Sequence, residues 1–571
     1  MKNIPLYEVR KIKSIKDVLV TSTELYSDKT AFLYKKKGNE AYEAYTFRQF
    51  KTDVDALGTA LISLGLKGGR IAIIGENRYE WAVGYMAVVN GTGIVVPLDK
   101  DLPENEIENL LIRSRADAVI FTANLREYIT NISKRLDFIK YYIDIDAQGE
   151  GNTGLIPFRS LTDRGRKLVA EGNRDFIDAE IDAEAMSILL FTSATTDKAK
   201  AVMLSHRNIA ANLMAMSSMT NIVPSDIFLS VLPLHHTYEN TCGFLCPFYR
   251  GAAVAYCEGL RHIQKNMQET KATVMLAVPL ILEAMYKRIW DQAAKNPKTL
   301  KKLKFGIRLS NLLKKVGIDI SRELFRPIHE NLGGNMRLLI SGAAGIDPKV
   351  SKGFRSFGIH FIQGYGLTEC SPIAALNRDV DYRDDAAGLP LPGVEIKIVD
   401  PGSDGVGEIC VKGPNVMLGY YEDPETTEKV LKDGWFYTGD LGYMDDDQFV
   451  YVTGRKKNVI VTKNGKNIYP EEIETLLAKS TYIKECMVYG KNDPVYGDVV
   501  VSATIVPDME AIQAEFGGRQ PSDEEIRNLI RKAVKEVNKS LVIYKYVKDF
   551  DLREEEFAKT TTRKIKRYIE S

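Results

Sequence analysis

Residues 71–98 read IAIIGENRYEWAVGYMAVVNGTGIVVPL, and the order of textures within them decides the fold class. Ile71 to Ile74 is a buried-strand run, Trp81 to Val89 reads as a helix, and Gly93 to Val96 is the next strand. Continuous apolar runs of this length mark strands covered on both faces, as in a parallel sheet. The uncharged run from Trp81 to Leu98 is long enough to raise the question of a membrane span. Gly84, Asn90, Gly91, Gly93 and Pro97 interrupt it, so helix, tight turn and buried strand describe it better.

The same alternation extends outward. Pro103 to Arg115 gives a helix with proline at its start, followed by the strand Ala118 to Phe121. Thr273 to Val278 precedes a helix after Pro279, and Leu338 to Ile340 precedes one after Asp347. Repeated strand–helix–strand order predicts parallel sheets covered by helices and joined by right-handed crossovers. Near residue 385 the texture changes. Val394 to Val399, Glu408 to Val411 and Phe449 to Thr453 are short strands between Gly, Pro and Asp turns, a mainly antiparallel pattern. After Gly454-Arg455-Lys456-Lys457 come a strand at Val459 to Thr462, a helix after Pro470, strands around Met487 and at Val499 to Val506, and a helix from Asp523 to Asn538.

The expected architecture is therefore α/β. A large N-terminal body of mostly parallel, helix-covered sheets (residues 1–384) carries a small β-rich subdomain (385–454). A hinge at 455–457 leads to a mobile α+β C-terminal domain (458–571). No repeat of 20–50 residues is evident.

The chain has 571 residues, 44% of them hydrophobic, and 77 Lys and Arg against 76 Asp and Glu give a net charge of +1. Such balance supplies no global attraction to nucleic acid, so none is expected as a partner, and any polyanion must be held by a local site. The cysteines Cys242, Cys246, Cys257, Cys370, Cys410 and Cys486 form no CxxC pair. Cys242 and Cys246 stand one helical turn apart without a second pair nearby, which favours two buried thiols over a metal site, in a reducing compartment. The N-terminus, charged throughout, has no apolar core of a signal peptide, and a cytoplasmic location is expected. From Lys295 to Lys315 eight basic residues and no acidic one interleave with leucines at helical spacing. That pattern fits a solvated helical insertion, or a weak peripheral contact with anionic membrane.

Three loops carry chemistry. Ile188-Leu189-Leu190-Phe191 runs into Thr192-Ser193-Ala194-Thr195-Thr196-Asp197-Lys198-Ala199-Lys200, hydroxyls and ammonium groups suited to phosphate oxygens, and Ser205 follows as a helix cap. No Walker A loop occurs. Gln363-Gly364-Tyr365-Gly366-Leu367-Thr368-Glu369 surrounds an aromatic ring with small residues beside a hydroxyl and a carboxylate. It is no dinucleotide fingerprint, because Glu369 stands where the last glycine would be. In Tyr437-Thr438-Gly439-Asp440 an acidic turn residue can accept two ribose hydroxyls, with Arg455 fifteen residues on as a clamp.

Together these segments resemble the adenylate-forming superfamily of acyl-CoA synthetases, peptide-synthetase adenylation domains and luciferases. Within it the chain is most similar to bacterial long-chain fatty acid–CoA ligases, through Glu76-Asn77-Arg78-Tyr79-Glu80-Trp81 and Leu232-Pro233-Leu234-His235-His236-Thr237-Tyr238-Glu239. The resemblance implies ATP, coenzyme A and a fatty acid as substrates, with Mg²⁺ between Thr192 and Glu369. It implies a phosphate loop of Thr192, Ser193, Thr195, Thr196 and Lys200, with Tyr365 on adenine beside Gly364. Ser341-Gly342-Ala343-Ala344 forms another wall of that pocket, and Thr368 contacts the α-phosphate. Asp440 and Arg455 take the ribose, and His236 lies beside the acyl group. Lys559-Thr560-Thr561-Thr562-Arg563-Lys564-Ile565 matches the motif whose lysine, here Lys564, serves adenylation; Lys457 is the matching hinge, and Gly465 lines a pantetheine channel. Departures exist. Ala194, Asp197, Ala199 and Ala201 replace two glycines, a proline and a glycine of the usual loop, and Ala558 and Arg563 replace proline and glycine near the end. Alanine restricts positive φ and close backbone approach, so turnover is more exposed to these changes than fold. Two alternatives stay open: transfer to a carrier-protein phosphopantetheine, or a weakened homologue that holds nucleotide or acyl-adenylate. Acyl chain length and oligomeric state are not readable.

Overall fold

The computed structural model describes residues 4–36, 38–148, 154–192, 199–462, 466–492, 499–559 and 565–567. Ser193, Thr195, Thr196, Gly465 and Lys564 lie outside the described residues, as do Ala194, Asp197 and Arg563. Two large sheets form the body. In the first, Met186–Thr192, Gly93–Leu98, Gly69–Ile74, Ala118–Phe121, Tyr141–Asp144 and Ile156–Pro157 run parallel, and Lys200–Ser205 and Gly419–Tyr420 close one edge antiparallel. In the second, His360–Gly366, Leu338–Ser341, Val274–Ala277, Ile227–Ser230, Ala253–Tyr256 and Thr30–Tyr34 lie side by side in parallel, with antiparallel strands at both ends.

Strand alternation explains why the apolar runs are unbroken. Ile71 and Ile73 face an interior shared with Phe32, Trp81 and Phe228. Ala72 and Ile74 point the other way, onto Ile107, Leu111 and Ile129 of the covering helices Glu104–Ser114 and Arg126–Ser133. In the second sheet Val274 and Leu276 face the shared interior, whereas Met275 and Ala277 face Leu282, Val350 and Phe354. Helices Phe47–Ser63, Tyr79–Ala87 and His206–Met219 fill the space between the sheets. Five layers result, held by large buried rings such as Trp81, Tyr85, Phe244 and Phe248. Truncating one ring of this kind to alanine costs about 3–5 kcal/mol.

The uncharged run is resolved as expected. Helix Tyr79–Ala87 is followed by a turn with Gly91 at φ 154° and by strand Gly93–Leu98. A Cβ on Gly93 would lie 2.0 Å from the Gly69 carbonyl oxygen of the neighbouring strand, so only glycine fits. No helix among the described residues is long and apolar enough to cross a membrane.

The third sheet, Glu395–Val399, Gly407–Lys412, Trp435–Met444 and Val450–Arg455 with the short Leu431–Lys432, is antiparallel. Its Ile396, Ile409, Val411, Phe436 and Val450 join the interior that contains Ile71. The C-terminal residues have a core of their own. Ile473, Leu477, Val488, Val501 and Ile530 pack helices Pro470–Leu477 and Asp523–Asn538 on strands Ile483–Asn492, Val499–Pro507 and Val547–Leu552. Ser522 and Glu525 form a reciprocal cap that fixes the start of the last helix. Polar contacts join this unit to the rest: Tyr469 Oη to Asp404 Oδ2 at 3.2 Å and Lys479 Nζ to Asp347 Oδ1 at 3.9 Å.

Candidate functional site

In open α/β sheets the ligand crevice lies beyond the carboxyl ends of the strands. Here the second sheet places Gly364, Tyr365 and Gly366 at the end of His360–Gly366, beside Ser341 at the end of Leu338–Ser341. Ile227–Ser230 ends nearby and leads into Leu232 to Thr237, and Thr192 ends a strand of the first sheet. The third sheet brings Asp440 and Arg455, which face each other as partners on adjacent strands. All these ends open on one cleft of about 3650 Å³. Thr192, Lys200, His236, Gly342, Ala343, Gly364, Tyr365, Thr368, Glu369, Asp440, Arg455 and Lys457 line it. These are all the sequence-predicted site residues that fall among the described ones.

One corner of the cleft is a closed polar set. Tyr365 Oη donates to Asp440 Oδ2 at 2.7 Å, and Arg455 Nε pairs with Asp440 Oδ1 at 2.7 Å. The Asp440 amide donates to Thr438 Oγ1 at 3.0 Å, and the Gly439 amide donates to Glu408 Oε1 at 3.1 Å. Gly439 has φ 71°, which turns the chain so that Asp440 points inward. Tyr365 is 9% exposed and Asp440 6%, and burial, then Asp440, pushes the phenol well above its ordinary pKa. Burial opposes the Arg455 charge, but Asp440, Tyr365 and Glu369 outweigh it and raise its pKa. Each Asp440 oxygen keeps acceptor capacity for a further hydroxyl.

The glycines answer backbone geometry. A Cβ on Gly366 would lie 1.9 Å from the Pro372 carbonyl oxygen, and one on Gly364 would lie 2.9 Å from Leu376 Cδ1. The small residues around Tyr365 are thus demanded first by the antiparallel strand Ile373–Leu376. At Gly342 a Cβ would meet the Tyr238 ring at 2.7 Å, and Ala343 adopts φ 71°, so that wall is shaped by Tyr238.

A second corner is cationic. Lys200 Nζ lies over the Tyr420 ring, 4.7 Å from its centroid, while Tyr420 Oη donates to Glu369 Oε1 at 2.9 Å. Thr192 pairs in register with Lys200. Thr237 Oγ1 donates to Thr368 Oγ1 at 3.2 Å, which ties the His236 loop to the Thr368–Glu369 turn. Lys457 is exposed in the cleft, yet partial burial and then Arg455 and Arg567 hold its ammonium below the ordinary pKa, with Lys200 adding repulsion. Arg567, three residues after Lys564 in sequence, is held by the Val488 carbonyl at 2.8 Å and by Glu474. Arg455 pairs with Asp440 and Arg567 with Glu474, which leaves the Lys200 and Lys457 ammonium groups, without an ion pair among the described residues, to meet phosphate oxygens in this corner. Thr192 and Glu369 offer a hydroxyl and a carboxylate whose other oxygen makes no hydrogen bond among the described residues. These hard oxygen donors suit Mg²⁺ but are too few to enclose it, so phosphate oxygens and water would complete its shell. No cluster of three or more His, Cys, Asp or Glu that could hold a metal occurs among the described residues, Cys242 and Cys246 included.

The third branch is apolar. Met216, Ile222, Phe228, Cys242, Cys246 and Ile362 line it, from helix His206–Met219, the second sheet and the segments between them. Glu239 borders it at 1% exposure, its carboxyl beside the Ser230 hydroxyl and the Leu232 amide. Burial, against weaker pulls from Ser230 and the Leu232 amide, pushes its carboxyl up to about 8. Asn77 holds the His236 loop in place: its Nδ2 donates to the Leu232 carbonyl at 2.6 Å and to Ser230 Oγ at 3.1 Å, and its Oδ1 accepts from the Leu234 amide at 3.0 Å. Sequence reasoning assigned no role to Tyr420, Asn77, Glu239 or Arg567. Asn77 and Glu239 stood in quoted motifs, so their place in the pattern was a signal; Tyr420 carried none.

Two models of the AMP-binding enzyme family match the chain: the main domain over residues 20–421 and the C-terminal domain over 457–567. Long-chain-fatty-acid–CoA ligase 1 of Homo sapiens is 30% identical over 550 residues, covering 88% of this chain and 76% of that protein. A long-chain-fatty-acid–CoA ligase of Salmonella typhimurium is 27% identical over 524 residues, with 86% and 85% covered. Among solved structures, the anthranilate CoA ligase AuaEII in complex with anthranoyl-AMP superimposes with a TM-score of 0.77 at 20% identity, over 100% of this chain and 98% of that one. ATP-bound MatB of Rhodopseudomonas palustris gives 0.74 at 23%, over 97% and 98%. At such identities these two likenesses speak for the fold.

Proposed function

The chain belongs to the AMP-binding enzyme family, and from that premise we propose that it is an AMP-forming acid–CoA ligase acting on fatty acids, long-chain ones by preference. One observation carries the reading: a single cleft joins a cationic corner, a Tyr–Asp–Arg corner and an apolar branch. A carboxylate is a poor acyl donor to a thiol because oxide is a bad leaving group. Attack of a carboxylate oxygen on the α-phosphorus of ATP forms the acyl-adenylate and expels pyrophosphate; a thiol then adds to the acyl carbon and AMP leaves.

In this reading Asp440 and Arg455 grip the ribose, while Tyr365 packs on adenine with Gly364, Gly342 and Ala343. Lys200, Ser193, Thr195 and Thr196 hold phosphates, and Thr368 faces the α-phosphate. Mg²⁺, when bound by Thr192 and Glu369, neutralises phosphoryl charge. Lys564 donates to the oxygens on which charge develops, the kind of fixed electrostatic help that acts mainly in the transition state. His236 lies between the phosphates and the apolar branch and orients the carboxylate. For the second step the C-terminal unit turns about Lys457 to bring Gly465 to the pantetheine arm, exchanging the Lys479–Asp347 and Tyr469–Asp404 contacts for others.

The test is pyrophosphate release dependent on fatty acid, measured with and without coenzyme A across acyl chain lengths. The expected result is release that rises with chain length and thioester formed in equal amount. Absence of release with every acid contradicts the reading; release without thioester moves the acyl group to another acceptor.

A further inference from the structure

Helix Pro297–Lys314 packs one face inward and leaves the other exposed among the described residues. Gly306 and Ser310 are buried, Leu303 and Ile307 rest on the core behind the second sheet, and Ser310 Oγ lies 2.8 Å from Ser321 Oγ. The opposite face carries a straight stripe at alternating spacings of three and four: Lys298, Lys301, Phe305, Arg308, Leu312 and Lys315. All six are exposed, Phe305 at 67% and Leu312 at 62%. Just past the helix, Val316 and Ile318 are exposed at 70% and 51%. Lys298, Lys301, Arg308 and Lys315 make no ion pair among the described residues, and no acidic residue lies between Lys295 and Lys315.

A solvated insertion explains the lysines but not a phenylalanine and three aliphatic side chains projecting among them. Removing such side chains from water is favourable, and leaving four of them exposed together is not. A nucleic acid would use the cations and leave those four groups hydrated. We propose that this face docks on an anionic lipid surface, the cations meeting headgroup phosphates while Phe305, Leu312, Val316 and Ile318 enter the acyl boundary. The position is apt. The helix packs against Pro279–Ala294, whose Leu280, Ile281, Ala284 and Trp290 line the cleft on its other side. Docking therefore holds one wall of the cleft next to a lipid reservoir, and the contact itself does not depend on the ligase reading.

The test uses the full chain and co-sedimentation with vesicles of phosphatidylcholine alone or equimolar with phosphatidylglycerol. Binding is expected with the anionic vesicles only, and it should fall as salt is raised. At roughly 1 kcal/mol per surface cation, the triple variant Lys301→Glu, Arg308→Glu, Lys315→Glu should weaken partitioning by more than about tenfold. Phe305→Ser with Leu312→Ser should weaken it at unchanged charge. Unchanged unfolding midpoints for both variants show that the fold is intact. Equal sedimentation with neutral and anionic vesicles, or binding that survives either variant, overturns the proposal. Retention of duplex DNA by the wild type, without vesicle binding, overturns it too and assigns the stripe to nucleic acid.

Discussion

At one end of the cleft, Tyr365, Asp440 and Arg455 come from three strands, each within a short contiguous motif, and they meet within hydrogen-bond distance. At the other, Met216, Ile222, Phe228, Cys242, Cys246 and Ile362 are drawn from helix interiors and strand faces scattered over some 150 residues, and nothing in their local sequence distinguishes them from core. The polar end needs particular atoms at particular positions, so substitutions there act on chemistry. The apolar branch needs volume and dryness, so substitutions there act on which acid is accepted.

The largest expected effect is at the polar end. Lys564→Ala should lower fatty-acid-dependent pyrophosphate release by about a hundredfold to a thousandfold, the usual cost of removing a donor aimed at developing charge. The same variant should still convert supplied acyl-AMP to thioester. Equal loss in both half-reactions would remove the division of labour between them. In the apolar branch, Met216→Phe adds volume beside Ile222 and Phe228, and should shift the kcat/KM ratio of hexadecanoate to octanoate by roughly tenfold toward the shorter acid. No shift would mean that the chain lies elsewhere.

A subtler effect belongs to Tyr420, which joins Lys200 to Glu369 in the cationic corner. Tyr420→Phe keeps the ring under Lys200 but loses the bond to Glu369, worth about 1.5–3 kcal/mol when the acceptor is charged. The Mg²⁺ concentration for half-maximal activity should change severalfold while the KM for fatty acid stays constant; movement of both would point to a general structural role. The last effect, on stability rather than turnover, is at Glu239. Its carboxyl is neutral in the folded chain up to about pH 8 but ionises near its ordinary value when unfolded. That stability contribution is complete below the unfolded pKa and is lost as pH rises toward 8, by up to about 1.4 kcal/mol per pH unit. Glu239→Gln should flatten that part of the stability profile, and an unchanged slope would show that the acid titrates normally.

Much of the architecture was legible because layered sheets impose a strong pattern. The runs at Ile71 to Ile74, Ala118 to Phe121 and Leu338 to Ile340 are unbroken because neighbouring side chains face different but equally dry interiors. Strand Ala118–Phe121 and helix Asp523–Asn538 have the bounds that the sequence suggests, and Ser522 and Glu525 cap the start of the helix. Pairing partners were not legible. Nothing local announces that Gly419–Tyr420 adds to the edge beside Lys200–Ser205, and Tyr420 escaped notice for that reason. Gly364 and Gly366 show the opposite case: their spacing was noticed, but its first cause is the approach of strand Ile373–Leu376.

The central claim is that the two ends of the cleft grip one molecule, an AMP joined to a fatty acid. Calorimetric titration with a set of non-hydrolysable acyl-AMP analogues, differing only in acyl length, tests it most directly. The account predicts affinity that grows by up to about 0.8 kcal/mol per added methylene until the apolar branch is full, and that falls sharply in Asp440→Ala at every length. Affinity equal to that of AMP alone and indifferent to chain length would contradict it.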